Sequence, residues 1–251
     1  MENFSRGGSE SPQSVDALAL ARLQLEGLFA VCLLTESSTW VDVYLGDAWK
    51  KEFIRYLLVH FETECLPRFP PDTFVPELSR LVRFMGVCEV SVAQMQTLQH
   101  QQTGVPMPVG VAEEEIARFP TPGGVITKLS AGSKRRMLER LHLDYVYLSS
   151  FAHSLQVANM AKTVYDERST ERLHFSEAEV ERHFQFEVNT YARTYSFLSI
   201  VQAVAELKAL YPSDMELAAA ASDAWHDLIG STFFVNAVWS LRAKELLGVI
   251  S

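Results

Sequence analysis

The chain predicts an all-α fold: a single-domain bundle of about seven or eight helices. Three observations carry this. Apolar residues recur at spacings of three and four along most of the 251 residues. The breaks between such runs hold proline, glycine or Ser/Thr clusters, with helix-capping residues directly ahead of the next run. Strand-like sequence is confined to one short stretch, 125–129.

The segments follow in order. Residues 1–13 are polar and Gly/Ser-rich, which predicts a disordered tail and no secretory leader. Ser14 is positioned to cap a first helix with Asp16 in its first turn, running to Thr35, where Ser37, Ser38 and Thr39 interrupt it. A second helix is expected over 40–65, with Val43, Trp49, Phe53, Tyr56, Leu57 and Phe61 at helical spacing, stopped by Pro67, Pro70 and Pro71. A third is expected over 75–100, with Leu78, Leu81, Val82, Met85 and Cys88 on one stripe and a polar tail projecting from the body. Residues 102–131 hold four prolines and four glycines and read as a long irregular loop, interrupted by a short helix near 113–119. Ser133 caps a helix that reaches at least His153, and a further helical piece covers 155–165. After a polar connector at 166–175, Ser176 with Glu179 forms a capping box that opens a long helix over 177–210. Tyr211-Pro212 ends it, Ser213 caps another helix to Leu228, and a last helix covers 232–247.

Composition bounds the function. Nearly half of the chain is hydrophobic, enough for a sizeable core in residues 14–251. A net charge of −9 argues against general binding to nucleic acid or to anionic membranes, which needs a positive surface. The exception is a local basic patch of Lys128, Lys134, Arg135, Arg136 and Arg140. Three scattered cysteines, Cys32, Cys65 and Cys88, predict free thiols in a reducing, cytoplasmic setting. Segment 17–34 is as apolar as a membrane span, but Arg22 and Glu26 lie in its middle, so it predicts a buried soluble helix and no membrane partner.

The same two charges mark the candidate site. Arg22 and Glu26 are four apart and share a helix face; in a bundle such charges must be paired or used. Tyr145, Ser149 and His153 likewise fall on one face of an apolar helix. If the two helices pack, the five residues form a buried polar cluster. As an enzyme, a hydrolase or nuclease-like one, the chain would use Glu26 and His153 for proton transfer and Ser149 as nucleophile, with Arg22 and Tyr145 binding substrate. As a non-catalytic interaction or oligomerisation module, the chain would use the cluster only to specify packing. Phe233 and Phe234, being adjacent, hint at a homo-oligomer.

Arg-x-x-x-Glu in an apolar first helix, a Trp/Tyr-rich second helix and Tyr-x-x-Leu-Ser-x-x-x-His together resemble an uncharacterised family of helical bacterial proteins, a domain of unknown function. The matching positions are Arg22, Glu26, Tyr145, Leu148, Ser149 and His153. The resemblance implies a cytoplasmic all-α protein and names neither reaction nor cofactor.

Two other patterns are present. Arg55…His60, Arg136…His142 and Arg168…His174 satisfy the Arg-x(4–6)-His spacing of HEPN-type ribonucleases, without the Asn or Asp that usually follows that arginine. Glu179, His183 and Glu187 share a helix face, and Glu171…His174 and Asp223…His226 have the carboxylate-x-x-His spacing of di-iron bundles. The helix order does not match that fold, and a solvated charged face is the expectation, so no metal is assigned. The chain has no phosphate-binding glycine loop, dinucleotide fingerprint, Gly-x-Ser-x-Gly elbow or Cys-x-x-Cys pair.

Overall fold

A computed structural model describes residues 11–61, 74–153 and 176–217, with a few further positions up to 226. The described residues are helical or irregular, with no strand among them, so the all-α expectation holds. Two compact units emerge: Met1–Thr35 with Pro122–Ser251, and Glu36–Thr121.

The first unit is built on α1 (Ser11–Leu34), α5 (Pro122–Lys128), α6 (Ser133–His153) and α7 (Glu177–Leu210). Leu18, Ala21, Leu25, Leu28, Phe29, Cys32 and Leu33 of α1 are all buried. Their spacing of three and four makes one broad stripe, and each large side chain removed from water contributes roughly 1.5–3 kcal/mol. Met137, Leu138, Leu141 and Leu148 answer from α6; Val188, Ala192, Leu198, Val201 and Ala205 answer from α7. The sequence anticipated α1 against α6. It did not anticipate that α1 packs most extensively on α7.

Cross-links set the helix directions. Lys134, at the start of α6, reaches Cys32 and Thr35 at the end of α1, while Arg22 reaches Tyr145 and Ser149 near the end of α6. The two helices therefore run antiparallel. Lys134 also meets Glu206, and Asp144 meets Tyr195, so α6 and α7 are antiparallel too. It follows that α1 and α7 run parallel.

Several boundaries differ from expectation. α1 is already helical at Ser11, so Ser14 lies inside it and does not cap it. Of the strand-like 125–129, residues 125–128 fall in α5, where Pro122 supplies the first helical position that proline favours, and the Leu129 N–H returns to the Val125 carbonyl. Val125, Ile126 and Leu129 are buried there on a helical spacing. The capping box at Ser176 and the end at Tyr211 are as read: Glu179 accepts from the Ser176 N–H at 2.9 Å, and the Tyr211 N–H returns to Leu207 and Lys208. Beyond it, Asp214 and not Ser213 takes the capping bond, from the Leu217 N–H at 2.9 Å. The expected elements at 155–165 and 232–247, the connector at 166–175 and the tail at 1–10 lie outside the described residues.

The second unit holds α2 (Thr39–Phe61), α3 (Phe74–Val87) and α4 (Val92–Thr103). Trp49, Phe53, Leu57, Leu81, Val90, Leu98 and Ile116 form its core. Trp49 stacks on Phe53 at 4.9 Å, and its Nε1–H is satisfied by the Leu81 carbonyl at 2.9 Å. The single helix expected over 75–100 is broken in two. Glu89 takes a left-handed φ of 52°, and Ser91 then caps α4 with Gln94 closing the box. The polar tail does not project: Thr97 and Leu98 are buried against the unit. Nor is 113–119 helical; it runs irregularly along α4. The Glu114 N–H donates to Thr97 Oγ1 at 2.9 Å, Gln94 Nε2 donates to the Glu115 carbonyl at 3.1 Å, and Ile116 enters the core. Phe119 packs edge-on against Tyr44 and Trp40.

Candidate functional site

Four of the five sequence-derived site residues meet. Arg22 Nε donates to Ser149 Oγ at 3.2 Å, and Nη2 donates to the Tyr145 hydroxyl at 3.1 Å. Nη2 also lies 3.1 Å from the Glu26 carboxylate. The guanidinium carbon sits 5.4 Å from the Tyr145 ring centroid, so the ring face adds a cation–π contact. The Arg22 side chain is 16% exposed and that of Glu26 is 43% exposed, so the cluster lies at the edge of the core.

Ser149 has both of its bonds within this network. Its hydroxyl donates to the Tyr145 carbonyl one turn earlier, at 2.7 Å, and accepts from Arg22. A serine nucleophile instead gives its proton to a base. His153 closes α6, and its side chain lies outside the described residues, as does any bond from Glu26 to it.

Below the cluster is an aromatic layer. Phe29 of α1 meets Tyr145 at 5.9 Å and His142 at 6.3 Å, and His142 stacks near Tyr145 at 6.1 Å. A Cβ at Gly123 would lie 3.2 Å from His142 Nε2, so the small residue in α5 makes room for that ring. Arg136 is exposed while His142 is half-buried in this layer; six residues of helix place them on different faces. The Arg136…His142 pair is therefore not assembled.

The basic patch is partly neutralised. Lys134 turns inward to Thr35 Oγ1 at 3.0 Å and Glu206 at 3.4 Å, and Arg135 pairs with Glu139 at 2.9 Å. Lys128, Arg136 and Arg140 remain exposed. Among the described residues no group of three His, Cys, Asp or Glu side chains converges as metal ligands. His183 is exposed on α7, and the side chain of Glu187 lies outside the described residues. Cys32 is buried, and burial pushes the thiol of Cys88 up from its ordinary value.

Sequence reading missed a second polar network, between α6 and α7. Thr194, Ser199, Gln202 and Glu206 are all buried on α7. Gln202 Nε2 donates to Glu206 at 3.0 Å, and Lys134 meets the other carboxylate oxygen. About three turns further along α6, the Tyr195 hydroxyl bonds the Asp144 carboxylate. Burial holds the Asp144 carboxyl above the usual aspartate value, against the Tyr195 bond and the Arg140 charge, which lower it. Burial and the Asp144 charge raise the Tyr195 phenol well above its ordinary value. The available signal was the 199/202/206 spacing inside an apolar helix, the same pattern that marked Arg22 and Glu26.

Ala17–Leu34 is long and apolar enough to cross a membrane by length and composition. In this fold Arg22 is tied to α6, Glu26 is paired with Arg22, and the apolar stripe faces α6 and α7. Compared with known proteins, the chain matches no family model, no curated protein and no solved structure.

Proposed function

We propose that this chain is a non-catalytic, cytoplasmic interaction or oligomerisation module, in which the Arg22 cluster fixes the seating of α1 on α6. The observation that carries this reading is the direction of the Ser149 proton, which goes to the Tyr145 carbonyl of its own helix. The hydroxyl acts as a relay between Arg22 and the α6 backbone. Such a network specifies register between two helices that apolar packing alone would leave free to slide. Resemblance to the helical family with the same Arg/Glu and Tyr/Ser/His motifs is consistent with this reading and adds no reaction.

A surface for association supports it. The side of α7 opposite its buried stripe exposes Phe197, Ile200 and Leu207. Steps of three and seven are the arithmetic of a helix-packing seam.

The second reading is the hydrolase or nuclease-like enzyme that binds an anionic substrate. It would use the Nη1 edge of Arg22, since the bonds to Ser149, Tyr145 and Glu26 are made through Nε and Nη2. The test sets the two apart. The full chain is sedimented over a range of concentrations and assayed against ester, phosphodiester and RNA substrates. Reversible self-association without turnover is the expected result. Turnover that is lost in Ser149→Ala or His153→Ala at unchanged Tm overturns it.

A further inference from the structure

The buried polar ridge of α7 is unevenly satisfied. Lys134 Nζ donates to Thr35 Oγ1 at 3.0 Å and to the Cys32 carbonyl at 3.4 Å, and it lies 3.4 Å from Glu206 Oε2. Gln202 Nε2 donates to Glu206 Oε1 at 3.0 Å. That last bond fixes the amide's orientation, because a carboxylate only accepts and an amide oxygen cannot donate. The Gln202 Oε1 atom is therefore left over as an acceptor. Among the described residues it meets no partner, and neither does Ser199 Oγ, three residues earlier. Gln202 is 1% and Ser199 2% exposed, so bulk water does not serve them. Interiors leave few such groups unpaired, because each forfeits its full hydration.

We propose that Ser199 and Gln202 hold one buried neutral molecule of the size of water, which donates to Gln202 Oε1 and shares a hydrogen bond with Ser199 Oγ. The placement suits this. Side chains three apart on a helix are neighbours on one face, and both residues lie on the buried side of α7. Leu198, Val201 and Ala205, all buried around the ridge, argue against a larger organic guest. A metal cation is disfavoured because the Lys134 ammonium already occupies the same carboxylate. The bound molecule extends the chain Lys134–Glu206–Gln202 by one link to Ser199. Every buried polar group of the ridge from 199 to 206 is then satisfied. Water of this kind typically makes two to four bonds and is costly to remove.

Ser199→Ala in the full chain is the deciding variant, since it deletes one hydroxyl and changes little else. If the site is occupied, the variant strands the bound molecule and Tm falls by about 2–4 °C. If Ser199 Oγ is simply unsatisfied, its removal relieves a buried polar group and Tm rises, which overturns the proposal. A crystal structure gives the second reading. Density within hydrogen-bond reach of both Ser199 Oγ and Gln202 Oε1 supports the site; direct bonding of either atom to protein overturns it. Exchange of sodium or potassium chloride for choline chloride at constant ionic strength leaves Tm unchanged if the molecule is neutral. A Tm shift specific to one small cation identifies an ion and overturns the assignment.

Discussion

Arg22 Nε and Ser149 Oγ lie 3.2 Å apart across 127 residues of sequence. The bond joins the middle of α1 to the last turns of α6 and lies next to the Arg22–Tyr145 bond. Hydrogen bonds to a charged group contribute about 1.5–3 kcal/mol when the group is largely out of water. Arg22→Met is expected to lower unfolding stability by about 2 kcal/mol, and Ser149→Ala by about 1 kcal/mol. Their double-mutant cycle, measured by urea unfolding, should return a coupling of about 1 kcal/mol. Additive effects would mean that the two groups do not meet in solution.

Lys134 and Glu206 behave differently, because Glu206 is 2% exposed and its carboxylate depends on the ammonium and on Gln202. Removing one partner of a buried pair leaves the other charge uncompensated, at about 3–5 kcal/mol. Lys134 is 16% exposed and can recover part of its hydration, so Glu206→Leu should sit at the lower end, about 3 kcal/mol. Lys134→Met with Glu206→Leu removes both charges and should recover part of that loss, remaining about 1–2 kcal/mol below the parent because Gln202 Nε2 loses its acceptor. Chemical denaturation of the three variants checks this; a double variant as unstable as Glu206→Leu contradicts it.

These two networks mark how far the sequence could be read. Arg22, Glu26, Tyr145 and Ser149 were legible because each is a polar residue at four-residue spacing in an otherwise apolar helix. Ser176 and Glu179 were legible because a capping box is a local signal. Ser91 and Gln94 carry the same local signal, yet the apolar stripe Leu81, Met85 and Cys88 runs straight into it and hid the break at Glu89. Gln202 and Glu206 have the same four-residue spacing as Arg22 and Glu26, but spacing alone does not say which face of a two-sided helix is buried; what makes these two core residues is Lys134 arriving from another helix. The same limit misplaced 125–129: β-branched Val125, Ile126 and Thr127 resemble a strand by propensity, and tertiary packing of Val125 and Ile126 overrode it.

Glu89 offers a test in the second unit. Its φ of 52° lies in the left-handed region, where a Cβ crowds the backbone and a non-glycine residue loses roughly 1–2 kcal/mol. The side chain is exposed. Glu89→Gly relieves the crowding but raises the entropy of the unfolded chain, which offsets part of the gain. The net expectation is stabilisation of about 0.5–1 kcal/mol, measured as a higher urea midpoint at unchanged slope. Destabilisation would mean that α3 and α4 are joined through a different backbone path.

Asp144 makes the last prediction, a dependence on pH. Its carboxyl is held above the usual aspartate value in the folded chain, chiefly by burial. The folded state then binds more protons than the unfolded state between about pH 3.9, the unfolded value, and the raised value. Stability from this group is greatest below that window and declines as pH rises through it. Asp144→Asn removes the titration and keeps an acceptor for the Tyr195 hydroxyl. Glu77 and Glu179 have depressed values, through Arg80 and Ser176 respectively, and slope the opposite way. They are present in both proteins and cancel on subtraction. The Tm of Asp144→Asn minus that of the parent should therefore grow as pH rises from about 4, the unfolded value, and level off above the raised value. A difference that stays flat across this range would mean that Asp144 is solvated and unshifted, and that the α6–α7 contact at Tyr195 is open to water.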